Sequence, residues 1–184
     1  AKKTMKAAGV PVIPGSDIIN GIEEGIAEGK KMGYPLLLKA RSGGGGRGIR
    51  IINSPDDLKT VFGAAQTEAK NSFNDSALYL EKYLTLVKHV EVQLLCDNNG
   101  NIIILGERDC SVQRKNQKLI EESPCHILSE SARQRLFDIS IKAAKAVNYR
   151  GAGTLEFLLD GEENFYFMEM NTRLQVEHTV SEMV

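Results

Sequence analysis

Six polar residues, Glu169, Asn171, Arg173, Gln175, Glu177 and His178, fall within ten positions directly after the apolar run 165–168. A strand that ends in so many polar groups is poor core material and good material for a metal, phosphate or anion site. Glu156 adds a second carboxylate from a neighbouring apolar segment. If 154–159 and 165–170 pair as a hairpin, the two acids come from adjacent strands, and period-two alternation puts Glu169, Asn171 and Arg173 on one face as far as the extended conformation persists. Two carboxylates and an amide oxygen are hard oxygen ligands of the kind Mg²⁺ takes beside nucleotide phosphates. The competing reading is a solvated sheet face. Arg173 and Gln175 can fork onto a small planar oxyanion, and Glu177 can accept a proton from it. A lone His near a helix start, such as His178, is more often structural.

A second constellation is Ser42, the glycines Gly43, Gly44, Gly45 and Gly46, Arg47 and Gly48. Four consecutive glycines lose much entropy on ordering, so keeping them between two strands points to backbone N–H groups that approach a ligand closely, polyphosphate above all. No Gly-Lys-Ser/Thr follows, and a strand rather than a helix comes next, which excludes a Walker A loop and a dinucleotide fingerprint. Lys39 ends the preceding strand, where its ammonium can meet phosphate oxygens. The plain alternative is a loose hairpin tip beside a surface lysine. The third is the run 113–118, with cations at Arg114, Lys115 and Lys118, for which a solvated face is an equal reading. Glu81, Lys82, Leu84 and His89 do not stand out by chemistry alone.

These groups need a scaffold. A short helix over 2–8 stops at Gly9, a turn-rich stretch covers 10–15, and Ile19, Ile22 and Ile26 predict a helix to about Met32. Strands are expected at 36–40 and 49–52, then a helix from the Ser54-Pro55-Asp56-Asp57 start to about Lys70. Strands at 77–83, 89–96 and 102–107 in succession favour one antiparallel sheet. Ser129 or Ser131 caps a helix whose apolar face is Leu136, Ile139, Ala143 and Val147, two more strands follow at 154–159 and 165–170, and a helix begins near Val176. Hairpins mixed with helices, without strict βαβ alternation, predict an α+β fold.

Composition bounds the rest. The 184 residues are 42% hydrophobic and 26% charged, with a formal net charge of −1, an ordinary globular balance that gives no support for a nucleic-acid partner. Cys96, Cys110 and Cys125 lack metal-ligand spacing and cannot all pair within one chain, so reduced thiols in a cytosol-like compartment are expected. No apolar run approaches membrane-spanning length, and no membrane partner is expected. Gly21, Gly25, Gly29 and Gly33 stand four apart, but the charges between them favour a weak surface helix over a lipid-facing one. Without an initiator Met, and with Val184 inside a predicted helix, the chain reads as an excised domain of a longer polypeptide.

Six segments in order, LLLKARSGGGGRGIR, LEKYL, HVEVQ, ERDCSVQRKNQK, GAGTLEF and EMNTRLQVEH, resemble the ATP-grasp region of the biotin carboxylases, which occurs in acetyl-CoA, propionyl-CoA and pyruvate carboxylases. The chain is similar, more distantly, to the carbamoyl-phosphate synthetase large chain. The resemblance implies an ATP-grasp fold: a helix and linker at 1–10, a lid subdomain with the glycine-rich loop at 11–83, and part of a catalytic subdomain at 84–184. It implies a ligase that uses ATP, Mg²⁺ or Mn²⁺ and bicarbonate to carboxylate biotin on a carrier protein through carboxyphosphate. Lys39 would bind ATP phosphates under a lid that includes Gly43, Gly44, Gly45 and Gly46. Glu81, Lys82 and the backbone at Leu84 would line the adenine pocket, with His89 and Gln113 close to the nucleotide. Glu156 and Glu169, with Asn171, would hold the metal; Lys118, Arg173, Gln175 and the Val176 backbone would hold bicarbonate, with Glu177 as its base. Implied partners are a biotin carboxyl carrier protein or domain, a carboxyltransferase and further copies of the parent chain, in the cytoplasm or the mitochondrial matrix. Asn116 replaces a His that many members have, and the family's N-terminal domain and enolate-binding Arg are not in this sequence, so the fragment alone is expected to be inactive. A non-catalytic ATP-binding module and an ATP-grasp ligase for an amino acid or peptide are the alternatives.

Overall fold

In chain order the elements are α1 (Lys2–Ala7), β1 (Gly15–Ile19), α2 (Ile22–Met32), β2 (Leu36–Ala40), β3 (Ile49–Ile52), α3 (Pro55–Phe73), β4 (Leu78–Lys82), β5 (Lys88–Cys96), β6 (Ile102–Arg114), β7 (Gln117–Glu122), α4 (Glu130–Ala146), β8 (Gly151–Leu159), β9 (Phe165–Asn171) and α5 (His178–Glu182). The computed structural model describes residues 2–43, 47–114 and 117–184; Gly44, Gly45, Gly46 and Asn116 lie outside the described residues. The fold is α+β, and two compact units form: Ile13–Leu84, and the chain up to Val12 joined by everything from Thr85 onward.

The Ile13–Leu84 unit is a four-stranded antiparallel sheet in the order β1-β4-β2-β3. Alternation on β2 buries Leu36, Leu38 and Ala40 with Ile52, Leu78 and Leu80, and α2 and α3 supply Ile26, Leu58, Phe62 and Ala69 to the same core. The opposite register places Lys39 across from Tyr79 and Leu37 across from Glu81, so the polar residues share the other face. Ser54 caps α3 by accepting from the Asp57 N–H at 3.1 Å, while Asp57 accepts in return from the Asn53 N–H at 2.8 Å, a reciprocal cap.

The second unit carries a five-stranded antiparallel sheet in the order β7-β6-β5-β8-β9. One face packs Val90, Val92, Leu94, Leu155, Phe157 and Phe167 against α4 and α1 through Leu136, Ala143 and Met5. Phe157 meets Phe165 and Phe167 edge-on, at ring centroids of 6.4 and 6.1 Å. The other face of β5 carries His89, Glu91 and Gln93.

Several expectations shift. Ile19 ends β1 rather than starting α2, because β1 is an edge strand hidden behind proline and glycine; a methyl on Gly15 would stand 2.9 Å from the Leu80 carbonyl oxygen. β4 pairs with β1 and β2, not with β5, so the three successive strands divide between two sheets. β6 runs on to Arg114 and pairs with β7, so Arg114 and Lys118 of the cationic run lie on paired strands, while Lys115 and Asn116 fall outside the described residues. Val147 is exposed, and the buried stripe of α4 runs instead through Ala132, Leu136, Ser140, Ala143 and Ala144. α3 extends to Phe73 and α5 starts at His178.

The regularly spaced glycines of α2 are packing contacts. Gly25 and Gly29 are buried, and a methyl on Gly29 would lie 2.5 Å from the Tyr34 hydroxyl and 3.3 Å from a Leu36 methyl. Gly63, inside α3, faces open space. The same substitution should therefore have opposite signs. Gly29→Ala should lower unfolding stability by about 1–3 kcal/mol through overpacking, and Gly63→Ala should raise it by about 0.5–1 kcal/mol through helix propensity. Urea unfolding of the two variants checks this.

Candidate functional site

Antiparallel register sets Glu91 of β5 directly opposite Glu156 of β8. Both are buried, and two facing carboxylates repel. The Lys118 ammonium of β7 resolves the conflict: its Nζ lies 2.5 Å from Glu91 Oε2, 3.0 Å from Glu156 Oε1 and 3.3 Å from Glu177 Oε1. Behind it Arg108, a fully buried side chain of β6, donates from Nε to Glu91 Oε1 at 2.6 Å. These five groups carry two positive charges and three negative, 2 − 3 = −1. Arg108 further donates to Gln93 Oε1 at 3.2 Å and to Ser181 Oγ at 2.7 Å.

His89 completes one flank. Its Nδ1 stands 2.7 Å from Gln113 Nε2, and the same amide nitrogen donates to the Cys110 carbonyl at 2.8 Å. His89 Nε2 lies 3.0 Å from Glu156 Oε2, at ion-pair distance but without hydrogen-bond alignment. Burial pushes the Glu156 carboxyl up, but His89 and Lys118 outweigh it and hold it down at about 2. Burial would likewise lower Lys118, and the Glu91 and Glu156 carboxylates reverse this and hold it above its ordinary range.

The predicted metal residues lie close together. Glu156 and Glu169 are register partners on β8 and β9, and Asn171 Nδ2 donates to Glu156 Oε1 at 2.9 Å. His89, Glu91 and Glu156 also offer ligand atoms within 4.8 Å of one another. Glu91 is the poor member of that group, because both its oxygens are occupied, one by Arg108 and one by Lys118. Glu156 is occupied as well, Oε1 by Lys118 and Asn171 and Oε2 by His89, so a cation there would have to displace those partners.

The anion residues are less uniform. Strand alternation stops at Asn171, so Arg173 does not continue the β9 face; it is exposed, and its guanidinium donates to the Leu174 carbonyl at 3.2 Å. Gln175 is buried with its Oε1 unpartnered among the described residues, and Val176 is almost fully exposed. Glu177 is the N-cap residue of α5. His178 pairs with Glu182 at 2.6 Å, one turn along that helix.

The Ile13–Leu84 unit holds the other predicted residues. Lys39 Nζ lies 3.1 Å from Glu81 Oε1, with Lys39 partly exposed and Glu81 buried. Burial would lower the Lys39 ammonium, but Glu81 and Tyr79 together raise it. Lys82 Nζ donates to the Gly33 carbonyl at 2.8 Å, and Leu84 is half-buried. The stem of the glycine loop is fixed by Asp75, which accepts from Ser42 Oγ at 2.6 Å and from Arg41 at 2.9 and 3.0 Å; these bonds hold its carboxyl down at about 2. A methyl on Gly43 would meet the Arg47 carbonyl oxygen at 2.8 Å.

Sequence chemistry alone does not single out Glu91, Gln93, Arg108 or Ser181. The available signal was His-x-Glu-x-Gln inside an apolar strand, one polar face at period two.

The family model of the carbamoyl-phosphate synthase L chain, ATP binding domain, matches residues 1–184. The chain belongs to that family. It is 52% identical over its full length to a biotin carboxylase of Nostoc sp. and 51% identical to the mitochondrial methylcrotonoyl-CoA carboxylase subunit alpha of Rattus norvegicus, covering 41% and 26% of those proteins. Among solved structures it is similar to the biotin carboxylase–β,γ-ATP complex of Campylobacter jejuni, with a TM-score of 0.95 and 55% identity over 100% of this chain and 41% of that one. It is also similar to the biotin carboxylase domain of the 2-oxoglutarate carboxylase of Hydrogenobacter thermophilus, crystallised with MgADP, ADP and bicarbonate; the TM-score is 0.93 and the identity 51% over 99% of this chain and 40% of that one. The chain thus spans about two fifths of the length of the biotin carboxylases it matches. Among the described residues no helix is long and apolar enough to cross a membrane.

The carboxylate triad yields a stability prediction. Lys118→Ala leaves Glu91, Glu156 and Glu177 facing one another and should cost about 3 kcal/mol, the low end for a broken buried pair because Lys118 retains some exposure. Glu156 is depressed from 4.5 to about 2, so its stabilising contribution is complete above pH 4.5 and is lost as pH falls through about 2. Without Lys118 that acid-side loss should shrink, and urea midpoints of both proteins between pH 7 and pH 3 measure it.

Proposed function

We propose that this chain is the ATP-binding part of a biotin carboxylase, a ligase that carboxylates carrier-bound biotin with Mg·ATP and bicarbonate. The observation that supports this best is the Lys118 ammonium 3.3 Å from the Glu177 carboxylate, in the same unit as the buried Gln175 oxygen, which is unpartnered among the described residues. A cation and a carboxylate so placed can hold a small oxyanion and take up its proton.

In this reading Lys118, Arg173, Gln175 and the Val176 backbone bind bicarbonate. Glu177 takes the bicarbonate proton as a bicarbonate oxygen bonds to the γ-phosphorus and the bond from that phosphorus to the ADP oxygen breaks, giving carboxyphosphate and ADP. Lys39 and Gly43 meet the phosphates; Glu81 keeps the Lys39 ammonium charged and, with Lys82 and the Leu84 backbone, meets the adenine. His89 and Gln113 lie near the nucleotide. Glu156, Glu169 and Asn171 would hold Mg²⁺ or Mn²⁺, which supplies charge neutralisation at the phosphate oxygens when bound. Gly44, Gly45 and Gly46 take their lid role from the family resemblance alone. The parent works with a biotin carboxyl carrier and a carboxyltransferase, as a homo-oligomer. Three free, buried cysteines suit a reducing compartment, the cytoplasm or the mitochondrial matrix.

In the full-length carboxylase, Glu177→Gln should lower bicarbonate-dependent ATP hydrolysis by roughly 10²–10⁴-fold, the usual range for loss of a general base. Nucleotide affinity, measured by titration calorimetry, should stay unchanged. Near-normal turnover would remove Glu177 from this role.

A further inference from the structure

Arg108 heads the fully buried side chains by volume. The proposed chemistry gives it no part, yet its donors point two ways. Nε holds Glu91 at 2.6 Å, and the second oxygen of Glu91 holds Lys118. NH1 holds Ser181 Oγ at 2.7 Å, on the helix that begins directly after Glu177. Lys118 and Glu177, 59 residues apart in sequence, are thus referred to one rigid guanidinium. We propose that Arg108 is a positioning residue that, through Glu91 on one side and Ser181 on the other, fixes Glu177 against Lys118 and thereby sets bicarbonate use. This rests on the biotin carboxylase reading.

Neutralising Glu91 does not by itself need the Ser181 bond, since Lys118 already shares that charge. A buried hydroxyl, 5% exposed, aligned with a buried guanidinium is what a registration contact requires. Only a planar fork donates in both directions at once; a lysine ammonium at the end of a flexible stem would not.

Replacing Arg108 would strip a buried carboxylate of its partner and risk unfolding, so Ser181 carries the test. In the full-length carboxylase, Ser181→Ala should reduce kcat/KM for bicarbonate on the order of tenfold, the scale of one hydrogen bond to a charged group. Nucleotide Kd should stay close to wild type while the urea midpoint falls modestly, as the loss of one buried hydrogen bond requires, and Ser181→Thr, which keeps the hydroxyl, should restore bicarbonate use and the midpoint together. The proposal is overturned if Ser181→Ala uses bicarbonate like wild type, if nucleotide affinity falls in parallel, or if threonine fails to rescue. If the wild-type carboxylase releases no ADP in response to bicarbonate and biotin, the functional reading fails first and takes this proposal with it.

Discussion

Three carboxylates from β5, β8 and the start of α5 converge on one ammonium from β7. Buried like charges cannot share a space without a counter-charge, and the sheet face around Glu91 and Glu156 is organised by that requirement. Arg108 from behind, Lys118 from the front and Asn171 from the side satisfy the carboxylate oxygens in turn. The hairpin of β6 and β7 extends far enough along the sheet to bring Lys118 there. The opposite face packs a hydrophobic core against α4 and α1, so one sheet separates a mainly apolar layer from a charged one.

Much of this architecture was legible in the chain because local rules and tertiary structure agree. β2 and β3 carry strand residues beside turn residues, Ser54 and Ser129 sit at real N-caps, and Glu156 faces Glu169 as the hairpin pattern implies. What was not legible has specific causes. Edge strand β1 is short and glycine-led, so its pairing comes from β4 rather than from its own pattern. The extension of β6 past Glu107 begins with Arg108, which, like Glu107 itself, reads as surface and is buried because partners fifteen or more residues away satisfy it. Glu91 is silent in the sequence for the same reason: alternation in HVEVQ marks a polar face, but nothing local says that face is covered.

Helix α2 makes the converse point. Its glycines read as weakness and prove to be clearance, since Tyr34 and Leu58 occupy the volume a side chain would need. Asp75 is comparable: an unremarkable acid beyond α3 that ties the stem of the glycine loop from 33 residues away.

The Arg108–Ser181 bond closes a loop of 73 residues. Closing so long a loop is entropically unfavourable, and the reward comes only when β5, β6 and α5 are all in place. Any partly folded state that lacks α5 leaves a buried guanidinium with an unused donor, and any that lacks β7 leaves two carboxylates face to face. Incomplete assemblies of this unit are thus penalised electrostatically as well as through lost apolar contact. The charged layer therefore makes assembly of the unit more nearly all-or-none than its hydrophobic core alone would.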